Sequence, residues 1–362
     1  MKKLIPLLLA LCLLLGACGK PGYETMPLDD TEAPTDVTTE PSTVPDTTAG
    51  AAYHHPLTGE ALDAPMTNRP VAVVINNIVD AQPLHGIGDA DVLFETTAEG
   101  GGSITRCLAV FTDLADVEKI GSVRSARTYF DSMARSFDAP LIHCGGSEYA
   151  LNELGSNGQP HIDARYFGSD TFYRDAERKA KGYAIEHTLF TKGQSLLNIL
   201  EKKDIATTVP EGTDYGWTFA EDATPDGETA NKLSFRFSNG GKYTIMEYDT
   251  TAGCYHGTQK WGSKSLPFAD ANSGKPVDFE NVIILYTKIT SDSKGYRVFA
   301  KLDGTGDGYY AANGKMIPIK WSRADDKNAP FRFLNTDGTP ITLSVGKTYI
   351  GILNLGLSVN AE

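Results

Sequence analysis

Cysteine is scarce in this chain, with five in 362 residues. Two of them, Cys12 and Cys18, fall in the N-terminal segment, which leaves Cys107, Cys144 and Cys254. Three thiols cannot all pair within one chain, so no disulfide framework holds the fold. The readings left open are buried small hydrophobes or a single Cys107–Cys144 disulfide in an oxidising compartment. No Cys-x-x-Cys pair exists, and the adjacent His143 and Cys144 would point to opposite faces of a strand; no metal site and no cofactor are expected. Cations are also few, with 33 Lys and Arg against 46 Asp and Glu. That balance excludes nucleic-acid binding through a general basic surface. Beyond Leu15 no apolar run approaches the roughly 20 residues that cross a bilayer as a helix. Two catalytic signatures are missing as well. His143-Cys144-Gly145-Gly146-Ser147-Glu148 lacks the Gly-Lys-Ser/Thr ending of a phosphate-cradling loop, and Tyr149 stands where a nucleophile elbow needs glycine.

What is present begins at the N-terminus. Lys2 and Lys3 precede an apolar run from Leu4 to Leu15, then small residues and Cys18. This is the layout of a secretory signal, and the run is too short to span a membrane. Leu15-Gly16-Ala17-Cys18 resembles the bacterial lipobox, in which the cysteine is acylated after residues 1–17 are removed. Cleavage would take away Lys2 and Lys3 and no acids, moving the net charge from −13 to −15. The expectation is an extracytoplasmic lipoprotein held by its lipid on the outer face of the cell membrane. Residues 18–52 are dominated by Thr, Pro and acids and have almost no large apolar side chains. Such a segment cannot offset the entropy of ordering and reads as a disordered tether.

The rest divides by hydrophobic period. Residues 53–205 read as an α/β domain, with strands at Val71–Ile75, Val92–Thr97, Cys107–Phe111 and Ala139–His143. Ser125–Phe137 and Lys192–Lys202 have helical spacing, and Ser147 caps a short helix ended by Gly155. After a connecting segment, 206–230, the period changes to two over 231–362, which reads as a mostly antiparallel β domain. Asn313-Gly314 predicts a two-residue hairpin turn. Asp303–Gly308 imitates the start of a calcium loop, but Gly314 stands at the twelfth position, so it reads as a strand-connecting turn.

Glu95, Glu99, Arg106, Arg124 and Arg127 form the densest cluster of chemistry. If Ser125 caps the following helix, Arg127 lies in its first turn, where cations oppose the helix dipole. Arginines there point to an anion joining them with free backbone N–H groups, Glu95 and Glu99 orienting the guanidinium groups. The alternative is a structural network in which Arg127 pairs with Asp131 and the other arginines with Glu95 and Glu99. His143 is either a general base beside the arginines or a structural strand-end histidine.

Arg69-Pro70-Val71-Ala72-Val73-Val74-Ile75-Asn76-Asn77, Glu99-Gly100-Gly101, Ile104-Thr105-Arg106 and Gly121-Ser122-Val123-Arg124-Ser125-Ala126-Arg127 resemble the YerB-like lipoprotein family. His143–Ser147, Asn281-Val282-Ile283-Ile284 and Trp321-Ser322-Arg323 fit the same pattern. Ser122 stands where proline is common, and the Gly100–Ser103 loop is longer than the usual turn. The resemblance implies a Gram-positive envelope lipoprotein with two domains and supplies no catalytic residue. Export, the acidic surface and an arginine cluster without a complete catalytic set point to a binding or scaffolding role in envelope assembly, with an anionic envelope ligand or a cell-wall synthesis protein as partner. The arrangement of arginines is also similar to that of the LytR-CpsA-Psr ligases. This implies an alternative, a phosphotransferase acting on lipid-linked wall precursors, with Glu99 or Asp131 as base or metal ligand.

Overall fold

The computed structural model describes residues 52–99, 104–292, 298–324, 326 and 328–362. The signal segment, Cys18, the tether and the loop Gly100–Ser103 lie outside the described residues. Everything described belongs to one compact unit, Asp46–Glu362.

An eleven-stranded mixed sheet runs through it. Its middle is Asn281–Thr287, Thr348–Asn354, Val92–Glu99, Ile104–Phe111 and Val71–Asn77, in that spatial order. Thr348–Asn354 is parallel to both Asn281–Thr287 and Val92–Glu99, so strands from the two ends of the chain pair directly. Ile104–Phe111 is antiparallel to both of its neighbours. Beyond Val71–Asn77 come Leu141–His143 and His161–Asp163, each parallel to the last.

Continuous apolar runs build this middle because both faces are covered. In Val71–Asn77, Val71, Val73 and Ile75 face one core while Ala72 and Val74 face the other. Helix Gly193–Lys202 covers the first face with Leu196, Ile199 and Leu200, beside a second, six-stranded antiparallel sheet that contributes Leu233, Phe235, Met246 and Tyr255. Helices Thr128–Arg135 and Glu148–Leu154 cover the opposite face with Tyr129, Phe130, Met133, Ala150 and Leu154. Each of the leucine, isoleucine, phenylalanine and methionine side chains contributes about 1.5–3 kcal/mol on full burial. The β-rich C-terminal part is largely antiparallel, but Leu343–Ser344 pairs in parallel with Phe219–Ala220, and the parallel strands Asn281–Thr287 and Thr348–Asn354 extend the N-terminal sheet.

Several local expectations change. The helix read over Ser125–Phe137 spans Thr128–Arg135, and its N-cap is Arg127 rather than Ser125. Residues before it stay extended because their backbone is bonded on both sides. Arg124 N–H donates to Val74 O, and Cys144 N–H to Arg124 O. Ala126 N–H donates to Gly145 O. Ser147 does cap Glu148–Leu154, accepting from Ala150 N–H, and Gly155 is the C-cap. Cys107, Cys144 and Cys254 are all free thiols, so Cys107–Cys144 is not a disulfide. Most of Asp303–Gly308 lies within strand Gly304–Ala312, which pairs with Lys315–Arg323 through the Asn313-Gly314 turn. Gly306 sits there because a Cβ would lie 2.4 Å from Trp321 Nε1.

Candidate anion site

Arg106 occupies the third position of Ile104–Phe111 and is 1% exposed. It donates through one terminal nitrogen to Ser125 O at 2.9 Å and through the other to Glu99 Oε1 at 2.8 Å. Arg127 donates to Ala126 O at 2.7 Å and also to Glu99 Oε1. One carboxylate oxygen is therefore shared by two buried guanidinium groups. The extended segment 122–126 supplies both carbonyls, which is why those residues cannot belong to the helix.

Arg124 stands on that same segment, half-buried. Its guanidinium has no hydrogen-bond or ion-pair partner among the described residues. Its electrostatic neighbours are Arg106 and Arg174 on one side of the balance and Glu186 on the other. Burial, then the Arg106 charge, push its pKa down to about 10. Burial does the same to Arg106, also to about 10. The Nε atoms of Arg106, Arg124 and Arg127 are all buried without a hydrogen-bond partner. A buried donor left open costs about 1–3 kcal/mol, and three of them surround a local surplus of positive charge.

Glu95 does not join this group. It is fully buried on the other face of the sheet, accepting from Asn77 Nδ2 at 2.8 Å, Thr105 Oγ1 at 2.6 Å and Tyr349 OH at 2.8 Å. Lys242 Nζ, itself 0% exposed, lies 2.5 Å from it. The separation of the two glutamates has a simple cause. Strict alternation would put Glu95 and Glu99 on one face, but the register between Val92–Glu99 and Ile104–Phe111 shifts between Thr97 and Glu99. Past that bulge Glu99 sits opposite Ile104, on the side of Arg106, while Glu95 sits opposite Cys107.

The other candidates also find partners. Asp131 pairs with Arg135 at 3.3 Å and accepts from Asn157 at 2.7 Å, rather than pairing with Arg127. His143 is buried, bonded to Gly145 O at 2.8 Å and to His161 Nδ1 at 3.0 Å. Lys242 and Tyr349 were not visible as partners of Glu95 in the sequence. Lys242 follows Gly240-Gly241 and immediately precedes strand Tyr243–Asp249, with no periodic signal that it turns inward.

Two stretches match one family in order. Residues 57–206 match the N-terminal domain of the protein family of unknown function DUF3048, and residues 233–350 match its C-terminal domain. The chain belongs to the DUF3048 family. Another protein similar to this DUF3048 chain is a Bacillus subtilis (strain 168) protein named "Putative lipoprotein YerB", 29% identical over 86% of this chain and 88% of that protein. The crystal structure of YerB from Bacillus subtilis superposes with a TM-score of 0.72 at 27% identity, covering 85% of this chain and 99% of that one. The match to DUF3048 brackets both the arginine group and the strands that position it. Among the described residues no helix is long and apolar enough to cross a membrane.

Proposed function

We propose that this protein is a lipid-anchored, extracytoplasmic binding protein of the cell envelope, with an anion site centred on Arg124 and backed by Arg106 and Arg127. The observation that carries the reading is a half-buried Arg124 with an unpartnered Nε beside the Arg106 charge, while the one carboxylate at hand, Glu99, is taken up by Arg106 and Arg127. Arg106 and Arg127 are held in place by Glu99 and by the Ser125 and Ala126 carbonyls, so Glu99 acts as the orienting group. Arg124 is the one whose charge awaits a partner. Phosphate or pyrophosphate chemistry suits a planar guanidinium with several donors. The name of the Bacillus relative supports lipid anchoring through Cys18. Binding is favoured over phosphotransfer because Glu99 is shared by two arginines and Asp131 is tied to Arg135 and Asn157, leaving neither poised as a base.

Pyrophosphate is the probe for the test. The parent should gain thermal stability on its addition, because a ligand that binds only the folded state stabilises it by mass action, by about 2.7 kcal/mol at a hundred times Kd. Arg124→Gln should melt at the parent temperature or above it without ligand, and should lose the gain. An equal response of parent and Arg124→Gln to pyrophosphate would remove the case for this site.

A further inference from the structure

Cys254-Tyr255-His256 opens strand Cys254–Trp261 of the second sheet. Residues two apart on a strand share a face, so Cys254 and His256 look the same way while Tyr255 turns into the core. Pairing brings three carboxylates onto that face, Glu247 also standing opposite His256. Asp249 stands opposite Cys254, and Asp278, from the short strand Asp278–Phe279, stands opposite His256. Cys254 Sγ lies 3.5 Å from His256 Nε2, and Asp278 Oδ1 lies 2.7 Å from the same nitrogen. The sulfur, nitrogen and carboxylate oxygen all fall within 4.8 Å of one another. On the far side of the ring, Asp249 Oδ2 is 4.0 Å from Nδ1.

A Cys–His–Asp set invites comparison with a nucleophile and its base, but the geometry is wrong for it. A relay needs the thiol on one ring nitrogen and the carboxylate on the other. Here both crowd Nε2. Convergence on one nitrogen lone pair is what a shared cation requires. With Zn–S near 2.3 Å and Zn–N near 2.0 Å, tetrahedral ligation sets sulfur and nitrogen about 3.5 Å apart, which is the separation found. Asp278 would have to withdraw by about half an ångström to reach its own ligand position, and its side chain is 61% exposed and free to do so. Asp249, 4.0 Å from Nδ1, is too distant to hydrogen-bond it and only adds negative charge beside the imidazole.

We propose that Cys254, His256 and Asp278 bind one divalent transition-metal ion of the zinc class. A thiolate with an imidazole selects such an ion over calcium or magnesium. The incoming cation replaces the Cys254 thiol proton, forming the metal–sulfur bond as that proton leaves to solvent. Three protein ligands leave a fourth position for water. The bound ion would pin Asp278–Phe279 to Cys254–Trp261 at the margin of the sheet.

Cobalt(II) is the probe. Anaerobic titration of the purified full-length protein should develop a thiolate-to-cobalt charge-transfer band with the intense visible bands of a tetrahedral ion, and zinc should displace it. Cys254→Ala should abolish the charge-transfer band, and Asp278→Ala should weaken cobalt binding at least tenfold. Cys107→Ala and Cys144→Ala should leave it unchanged. Asp278 is exposed, so its variant keeps the test decisive if Cys254→Ala does not fold. Zinc should also slow alkylation of Cys254 in the parent and not in Asp278→Ala. No charge-transfer band, or one that survives Cys254→Ala, overturns the proposal, as does undiminished binding by Asp278→Ala.

Discussion

A charge buried without water survives only with partners, and Lys242 and Glu95 show how completely a pair can be satisfied. Lys242 sits among Phe237, Phe268 and Trp261, with its ammonium 5.2 Å from the Phe268 ring centre. Its ion-pair partner is the Glu95 carboxylate, which has three other donors. Burial pushes Lys242 below the usual lysine range, and the Glu95 charge opposes that push. The attraction roughly offsets the desolvation of both groups, so the pair adds little net stability while its disruption is costly. Lys242→Met alone should lower the unfolding free energy by about 3–5 kcal/mol, since it strands Glu95. The double variant Lys242→Met, Glu95→Gln should recover a large part of that loss. Urea denaturation of the four proteins gives the coupling directly. A single variant within about 1 kcal/mol of the parent would show that Glu95 finds water or another donor.

Strand pairs carry their own chemistry. Leu141–His143 and His161–Asp163 lie side by side, and their histidines stack with ring centres 5.2 Å apart. Burial pushes His143 down to about 4 from 6.5, and the neighbouring imidazole would resist a second charge. Between those two pH values the unfolded chain binds a proton that the folded chain refuses. Stability is therefore complete above about pH 6.5 and falls as the pH drops toward 4, by about 3 kcal/mol for this group. The melting temperature of the parent should fall over that interval, and His143→Gln should flatten the slope; an unchanged slope would assign it to other groups. Elements of this kind were largely readable beforehand. Val71–Ile75 and Cys107–Phe111, the apolar parts of strands Val71–Asn77 and Ile104–Phe111, and the Asn313-Gly314 turn, with φ of +50° and +70°, announce themselves by apolar runs and turn chemistry, while the polar strand ends that carry Asn77 and Arg106 do not. Cys254–Trp261 did not, because Cys-Tyr-His-Gly-Thr-Gln-Lys-Trp has no clean alternation, and its Cys-x-His spacing carries meaning only once the strand is known. The bulge after Thr97 was equally silent, and with it the parting of Glu95 from Glu99. Arginines 106, 124 and 127 were legible as a group because they are close in sequence, whereas Lys242 and Tyr349 reach Glu95 from far along the chain.

At the scale of the whole molecule, anchoring is the property to test first. Cys18→Ala should release the protein from membranes into the medium, measured by fractionation and blotting. A variant retained as firmly as the parent would end the lipid reading. The change of hydrophobic period near residue 230 marks a real change in local structure, yet it hides the shared sheet. Thr348–Asn354 looks like any other buried strand, and nothing in its composition tells that one of its neighbours, Val92–Glu99, lies in the N-terminal part. Thr96 and Ile352 are hydrogen-bonded across 256 residues. For a chain exported amino end first, this fixes an order of events. Val92–Glu99 would leave the channel early and wait, with one rim of its backbone open, until Thr348–Asn354 followed almost at the end of translocation. An open rim is a template for pairing with other chains, and closing so long a loop is slow. For the exported lipoprotein proposed above, the time until the tail is delivered would set how long that rim stays open, whatever the stability of the finished protein.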